Sequence, residues 1–139
     1  MKLILYVDGD EDDFFLFKKA INEISDNYTV LRIDSPANLF DLIKVIRPDF
    51  IFLDISRPLS NGVECLQAIR SEEEYDGTPV IIYSTVKDYI EISYHNKANY
   101  YLVKPESFLK ILTTLNTILS YNWQEDFYPT KDKMNKLLV

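Results

Sequence analysis

Some residue types are scarce in these 139 residues, and each scarcity excludes something. There is one cysteine, Cys65, so no disulfide can close within the chain. There is one histidine, His95, in a polar stretch far along the chain from Cys65. A Cys–His nucleophile pair is therefore not suggested, and Cys65 reads as a small packing residue on a helix. No apolar run approaches the length of a membrane span. Basic residues are outnumbered by acidic ones, and the net charge of −7 argues against nucleic acid or an anionic membrane as the main partner. Internal repeats and low-complexity segments are missing too. The opening Met1-Lys2-Leu3-Ile4 reads as a strand rather than a targeting segment, and a soluble cytoplasmic protein is expected.

A 47% hydrophobic content is enough for one domain with a proper core. Short apolar runs alternate with segments of helical periodicity. Lys2 to Val7 is a strand, and from Glu11 to about Ser25 the residues Phe14, Phe17, Ile21 and Ile24 recur at helical spacing. Glu11, Asp12 and Asp13 crowd the first turn of that helix, where its dipole favours negative charge. Tyr28 to Ile33 is a second strand. Ser35 then offers an N-cap with Pro36 at the first helical position, and Leu39, Leu42, Ile43 and Ile46 form the apolar face that follows. Val63, Leu66 and Ile69 suggest a third helix closed by Asp76-Gly77, before a strand from Pro79 to Ser84. Val86 to Asn99 reads as a polar helix with Ile90 and Tyr94 as core candidates. Tyr100 to Val103 is a fifth strand, and Phe108 to Leu119 the clearest amphipathic helix.

Five strands alternating with five helices indicate an α/β, doubly wound five-stranded parallel sheet with right-handed crossovers. The chain divides into a domain over 1–121 and a C-terminal tail over 122–139. In the tail Trp123, Phe127 and Tyr128 sit among charges, and packing onto the domain is favoured because exposed aromatics are costly.

The central stretch is Asp49-Phe50-Ile51-Phe52-Leu53-Asp54, followed by Ile55-Ser56-Arg57-Pro58-Leu59-Ser60-Asn61-Gly62. Its four consecutive apolar residues read as a strand buried on both faces. Asp54 ends it, as Asp8 ends the first strand, Ser84 the fourth and Lys104 the fifth. All four lie at the carboxyl edge of the sheet. For a strand order 2-1-3-4-5, Asp8 and Asp54 flank the switch point where a crevice opens. Taken singly, each has a simpler reading: a turn cap for Asp54, a turn start for Asp8, a helix cap for Ser84 and a solvated strand end for Lys104. Together, two carboxylates, a hydroxyl and a lysine suit transfer of an oxyanion with a hard cation such as Mg²⁺.

At this point the chain resembles the response-regulator receiver domains of two-component signalling, especially the single-domain, chemotaxis-regulator-like kind. The likeness spans roughly Lys2 to Tyr121. It rests on Leu5-Tyr6-Val7-Asp8, Phe52-Leu53-Asp54-Ile55-Ser56-Arg57-Pro58 with Gly62, Pro79-Val80-Ile81-Ile82-Tyr83-Ser84 and Tyr101-Leu102-Val103-Lys104-Pro105. The resemblance implies a flavodoxin-like fold, with Asp54 as phosphoacceptor and a Mg²⁺ site of Asp8, Asp54 and the backbone carbonyl of Ser56. It also implies Lys104 as the phosphoryl-contacting lysine, Ser84 as the switch hydroxyl and Tyr101 as the switch aromatic. The Lys104–Pro105 peptide is expected to be cis.

The implied partners are a sensor histidine kinase or phosphotransfer protein and a downstream protein, with no output domain. The protein is then no enzyme beyond catalysing its own phosphorylation and dephosphorylation. In one respect the chain departs from the family pattern: the second of two adjacent acids is replaced by Gly9. That replacement is the basis of an alternative reading, a pseudo-receiver binding module without Mg-dependent phosphorylation. A phosphohydrolase with an aspartyl nucleophile is a more distant alternative, since Ser56 stands where that class usually places a second acid.

Overall fold

The computed structural model describes residues 1–34, 39–55 and 62–138. Its centre is a five-stranded, all-parallel sheet of β1 (Lys2–Val7), β2 (Tyr28–Ile33), β3 (Phe50–Leu53), β4 (Val80–Ser84) and β5 (Tyr100–Val103), in the order β2-β1-β3-β4-β5. This is the doubly wound, flavodoxin-like order expected from the sequence. The helices between and after the strands are α1 (Glu11–Ile24), α2 (Leu39–Ile46), α3 (Gly62–Arg70), α4 (Ile90–His95), α5 (Phe108–Ser120) and α6 (Lys131–Leu137).

Strand periodicity sorts the core into two halves, because successive side chains of a strand point to opposite faces. Ile4, Tyr6, Phe50, Phe52, Ile81, Tyr83, Tyr100 and Leu102 face one side, against Phe17, Ala20 and Ile21 of α1 and Ile111, Leu115 and Ile118 of α5. Leu5, Val7, Ile51, Leu53, Val80, Ile82 and Tyr101 face the other, against Ile43 of α2 and Leu66 and Ile69 of α3. Burying a large apolar side chain fully contributes about 1.5–3 kcal/mol relative to exposure, and β3 is buried along its whole length. On the first face the filling is aromatic: Phe17 packs 4.5 Å from Tyr6 and 4.9 Å from Phe52 between ring centres.

Local signals explain the helix ends. The Asp10 side chain accepts from the amides of Asp12 and Asp13 and so caps α1. Ser107 caps α5 in the same way through the Lys110 amide. The expected Ser35–Pro36 start of α2 lies outside the described residues. Two boundaries differ from the sequence reading, while the tail packs onto the domain as expected. The third helix ends at Arg70, and a separate 3₁₀ turn, Glu73–Tyr75, precedes Asp76-Gly77. The fourth is only Ile90–His95, with Ser93 buried and Ile90 and Tyr94 partly buried. The tail contains a sixth helix, and Trp123 and Met134 pack into the aromatic half of the core.

Candidate functional site

The same alternation that sorts the core decides where the strand-end residues point. Counting on by two from Tyr6, Phe52 and Leu102, which face α1 and α5, gives Asp8, Asp54 and Lys104. Counting on from Ile82, on the opposite face with Tyr101, gives Ser84. Parity alone therefore groups the two carboxylates with the lysine and separates them from the hydroxyl and the aromatic. Ladder hydrogen bonds hold the residues just past the strand ends. The Asp54 amide donates to the Val7 carbonyl (3.0 Å), the Asp8 amide to Ile33 (3.0 Å) and the Lys104 amide to Ser84 (2.8 Å).

The lysine sits among three carboxylates. Its Nζ lies 2.7 Å from Asp8 Oδ2, 2.7 Å from Asp13 Oδ2 and 3.4 Å from Asp54 Oδ2. The side chains of Lys104, Asp8 and Asp54 are 8%, 1% and 9% exposed, so these charges meet largely out of water, while Asp13 at 32% borders solvent. Asp8 is held from several sides. Tyr6 donates its hydroxyl to Oδ2 (2.9 Å), the Asp10 amide donates to Oδ1 (3.0 Å), and Arg32 Nε donates to the main-chain carbonyl (3.1 Å).

Burial pushes the Asp8 carboxyl up, but hydrogen bonds from Lys104 and the Asp10 amide outweigh it and hold Asp8 below its usual value. For Lys104, burial disfavours the ammonium. Its hydrogen bonds to Asp13 and Asp8 prevail and raise it above the ordinary lysine value. Lys104 also lies 5.5 Å from the centre of the Tyr83 ring, whose phenol burial pushes upward.

On the opposite face, Ser84 is fully buried and its Oγ accepts from the Val86 amide (3.2 Å). Tyr101 is also buried, and its hydroxyl makes a short hydrogen bond to the Val86 carbonyl. Burial raises the Tyr101 phenol, partly offset by the neighbouring Ser84 hydroxyl. The Tyr101 amide in turn donates to the hydroxyl of Tyr94 on α4 (3.1 Å). A connected set of groups thus runs from the end of β4 across β5 to α4.

The structure therefore brings Asp8, Asp54 and Lys104 together, and sets Ser84 beside Tyr101. Ser56 lies outside the described residues. One expectation is corrected: the described residues contain no cis peptide bond, so Lys104–Pro105 is trans. The lysine reaches the carboxylates directly from the strand end, without a reversal of the chain.

Three contributors were missed in the sequence. Asp13 was assigned to the helix dipole, yet it lies one turn before the buried Phe17, on the stripe that faces the sheet; a carboxylate on a buried stripe was the available signal. Tyr6 figures in the sequence reading only as part of the first apolar strand, although its hydroxyl needs a partner when buried. Arg32 carried no signal at all.

The site is rich in hard oxygen donors, which suit Mg²⁺. Asp8 and Asp54 both contact one ammonium and so lie within reach of one cation. Among the described residues no three acidic, histidine or cysteine side chains form a metal-binding group by themselves. Mg²⁺ commonly keeps several waters and takes one or two carboxylates, so this donor set fits the ion.

Comparison with known proteins agrees with this fold. The profile of the response regulator receiver domain matches residues 4–116. The probable methanogenesis regulatory protein FilR2 of Methanothrix harundinacea is 34% identical over 76 residues, covering 53% of this chain and 49% of that protein. A protein-glutamate methylesterase/protein-glutamine glutaminase of Clostridium acetobutylicum is 30% identical over 79 residues, 54% of this chain and 22% of its own length. The chain thus matches half or less of these relatives. The polar-differentiation response regulator DivK of Brucella ovis is 27% identical over 120 residues, 85% of this chain and 96% of DivK. Among solved structures, the Mn²⁺-bound form of response regulator Rcp1 superposes with a TM-score of 0.75 at 21% identity, covering 94% of this chain and all (100%) of that one. Response regulator RPA3017 of R. palustris gives 0.80 at 19% identity, over 94% of this chain and 100% of that one. Among the described residues no helix is long and apolar enough to cross a membrane.

Proposed function

This chain belongs to the response regulator receiver domain family, and on that premise we propose that it accepts a phosphoryl group on Asp54 from a phosphohistidine of a kinase or phosphotransfer protein. The observation that carries the proposal is the meeting of Asp54, Asp8 and the Lys104 ammonium at one nearly buried point. The Asp54 carboxylate attacks phosphorus, the P–N bond to the donor imidazole breaks, and an acyl phosphate forms. Lys104 already lies 3.4 Å from Asp54 Oδ2, so its ammonium can turn from Asp8 and Asp13 to the incoming phosphoryl oxygens with little displacement. Asp8 and Asp54, with the carbonyl of Ser56, would hold Mg²⁺, which neutralises charge on the transferring oxygens. Arg32 and Tyr6 orient Asp8, and β1 fixes its position beside Asp54.

The output follows from the other face. An oxygen on the phosphorylated Asp54 offers the Ser84 hydroxyl an acceptor. Moving Ser84 disturbs its tie to Val86 and, through the Val86 carbonyl, Tyr101. The affected surface is that of α4, β5 and α5, which a downstream protein would read.

A second reading is favoured by Gly9, which leaves one carboxylate where the family pattern has two. The chain would then be a binding module whose Lys104 ammonium permanently takes the place of the metal. The two readings separate on treatment with phosphoramidate, with and without Mg²⁺, followed by intact mass. Metal-dependent gain of one phosphoryl group, lost in Asp54→Asn, supports the phosphoacceptor. An unmodified protein at high donor and metal supports the binding module.

A further inference from the structure

The face that the switch addresses is partly covered, because the C-terminal segment lies against it. Four contacts tie α6 and the Leu138 that follows it to the elements of that face. Lys131 Nζ is 2.6 Å from Glu91 Oε1 of α4 and 4.8 Å from the centre of the Tyr94 ring. Asn135 Oδ1 accepts from the hydroxyl of Tyr100 on β5 (3.1 Å). The Leu138 carbonyl accepts from Lys110 Nζ of α5 (2.8 Å). The helix thus touches α4, β5 and α5, and Met134 beneath it is fully buried in the aromatic half of the core.

The tail has two parts of different character. Trp123 is 5% exposed and donates its indole N–H to the Ile118 carbonyl (2.9 Å), and the Phe127 carbonyl accepts from the Asn99 side chain (2.7 Å). This stretch is anchored in the core. The helix beyond it has seven residues, too few to stand alone in water, and buries one side chain. Its ion pair to Glu91 is solvent-exposed, with side chains 41% and 89% accessible, and such pairs contribute little.

We infer that α6 is a detachable, tethered cover of the α4–β5–α5 face, held by the anchored segment before it and released through the Ser84–Tyr101 switch. The coupling runs through Tyr94. One side of that residue is the Lys131 cation–π contact, and its hydroxyl receives the Tyr101 amide hydrogen bond. A change at Tyr101 therefore reaches the surface on which α6 rests. Release exposes the socket of Met134 and takes the lysine partner away from the carboxylate of Glu91, while Trp123 keeps the tail attached. The gating by phosphorylation rests on the phosphoacceptor reading above; the detachment does not.

Hydrogen exchange with mass spectrometry on the full chain tests this in three arms. In the untreated protein, amides of 131–137 should exchange on the order of tenfold faster than those of 108–120, and Lys131→Ala should widen the gap without lowering the melting temperature. Tyr101→Phe, which removes only the hydroxyl bonded to Val86, should speed exchange in α6 without any phosphoryl donor. Phosphoramidate with Mg²⁺ should do the same in proportion to the modified fraction read by intact mass. Equal protection of α6 and α5 overturns the detachable cover. Unchanged α6 exchange in Tyr101→Phe, or in protein shown to be phosphorylated, overturns the link to the switch. If no phosphoryl group is gained, the phosphoacceptor reading fails, and the first two arms still decide the cover and its link.

Discussion

Replacing Lys104 with methionine tests the electrostatics of the pocket, because it removes one ammonium from among three carboxylates and keeps most of the stem. In the wild type, Asp8 and Asp54 have side chains 1% and 9% exposed, and the Lys104 ammonium lies within contact distance of both. Removing one partner of a buried pair costs about 3–5 kcal/mol, because the remaining charge stays buried without that partner. For a domain of this size such a loss lowers the melting temperature by roughly 10 °C or more.

The pH dependence identifies the cause. The folded Asp8 carboxyl lies below its usual value, so in the wild type its contribution is present above the unfolded pKa and lost as pH falls through the folded one. Without Lys104, burial prevails and the folded Asp8 moves above the unfolded value of about 3.9. The variant then gains stability relative to wild type as pH falls, when Asp8 takes up a proton and becomes neutral. Urea unfolding at about pH 7 and about pH 4.5 should therefore show a large difference that narrows at the lower pH. The same loss at both pH values would refute the charge argument and leave only the packing of the lysine stem. No loss at all would mean that the lysine is solvated.

Other expectations follow from the same geometry. Asp8→Asn should cost more stability than Asp13→Asn at neutral pH, about 2–3 kcal/mol against 1 kcal/mol or less, since Asp13 borders solvent; equal losses in urea melts would contradict the burial difference. Gly9→Asp restores a carboxylate beside Asp8, and calorimetric titration should show Mg²⁺ binding tightened by about tenfold, with a lower melting temperature in chelator; unchanged affinity would place residue 9 away from the pocket. Gly62→Ala should lower stability by about 1–3 kcal/mol, because a Cβ there would lie 2.0 Å from Ile55 Cγ2 and 3.0 Å from Ile55 Cα, next to Asp54; an unchanged urea midpoint would show that the segment yields freely.

The sheet was legible because its strands are short apolar runs that end on polar residues. Phe50 to Leu53 is the clearest case, and all four residues are buried. The site was legible for the same reason: a parallel sheet collects its strand ends on one edge, so Asp8, Asp54 and Lys104 could be paired before any distance was known. Less visible was what depends on surface geometry. The fourth helix is shorter than its polar stretch because little of it is apolar enough to pack, and its buried residue is Ser93. Helix α6 has no apolar stripe, and Met134 is its one buried side chain. Asp13 does lie in the first turn of α1, but helix-dipole stabilisation explains an acid there without requiring a partner, so its second role shows in the sequence only through its place on the buried stripe. Its partner, Lys104, is 91 residues away in sequence.

Locating the modified residue tests the central claim most directly. Protein treated with phosphoramidate and Mg²⁺ is reduced with borohydride, which converts an aspartyl phosphate to homoserine, and the digested peptides are sequenced by mass spectrometry. The account predicts homoserine at position 54 and aspartate retained at positions 8 and 13. Homoserine at either of those positions, or none anywhere in the chain, would contradict it.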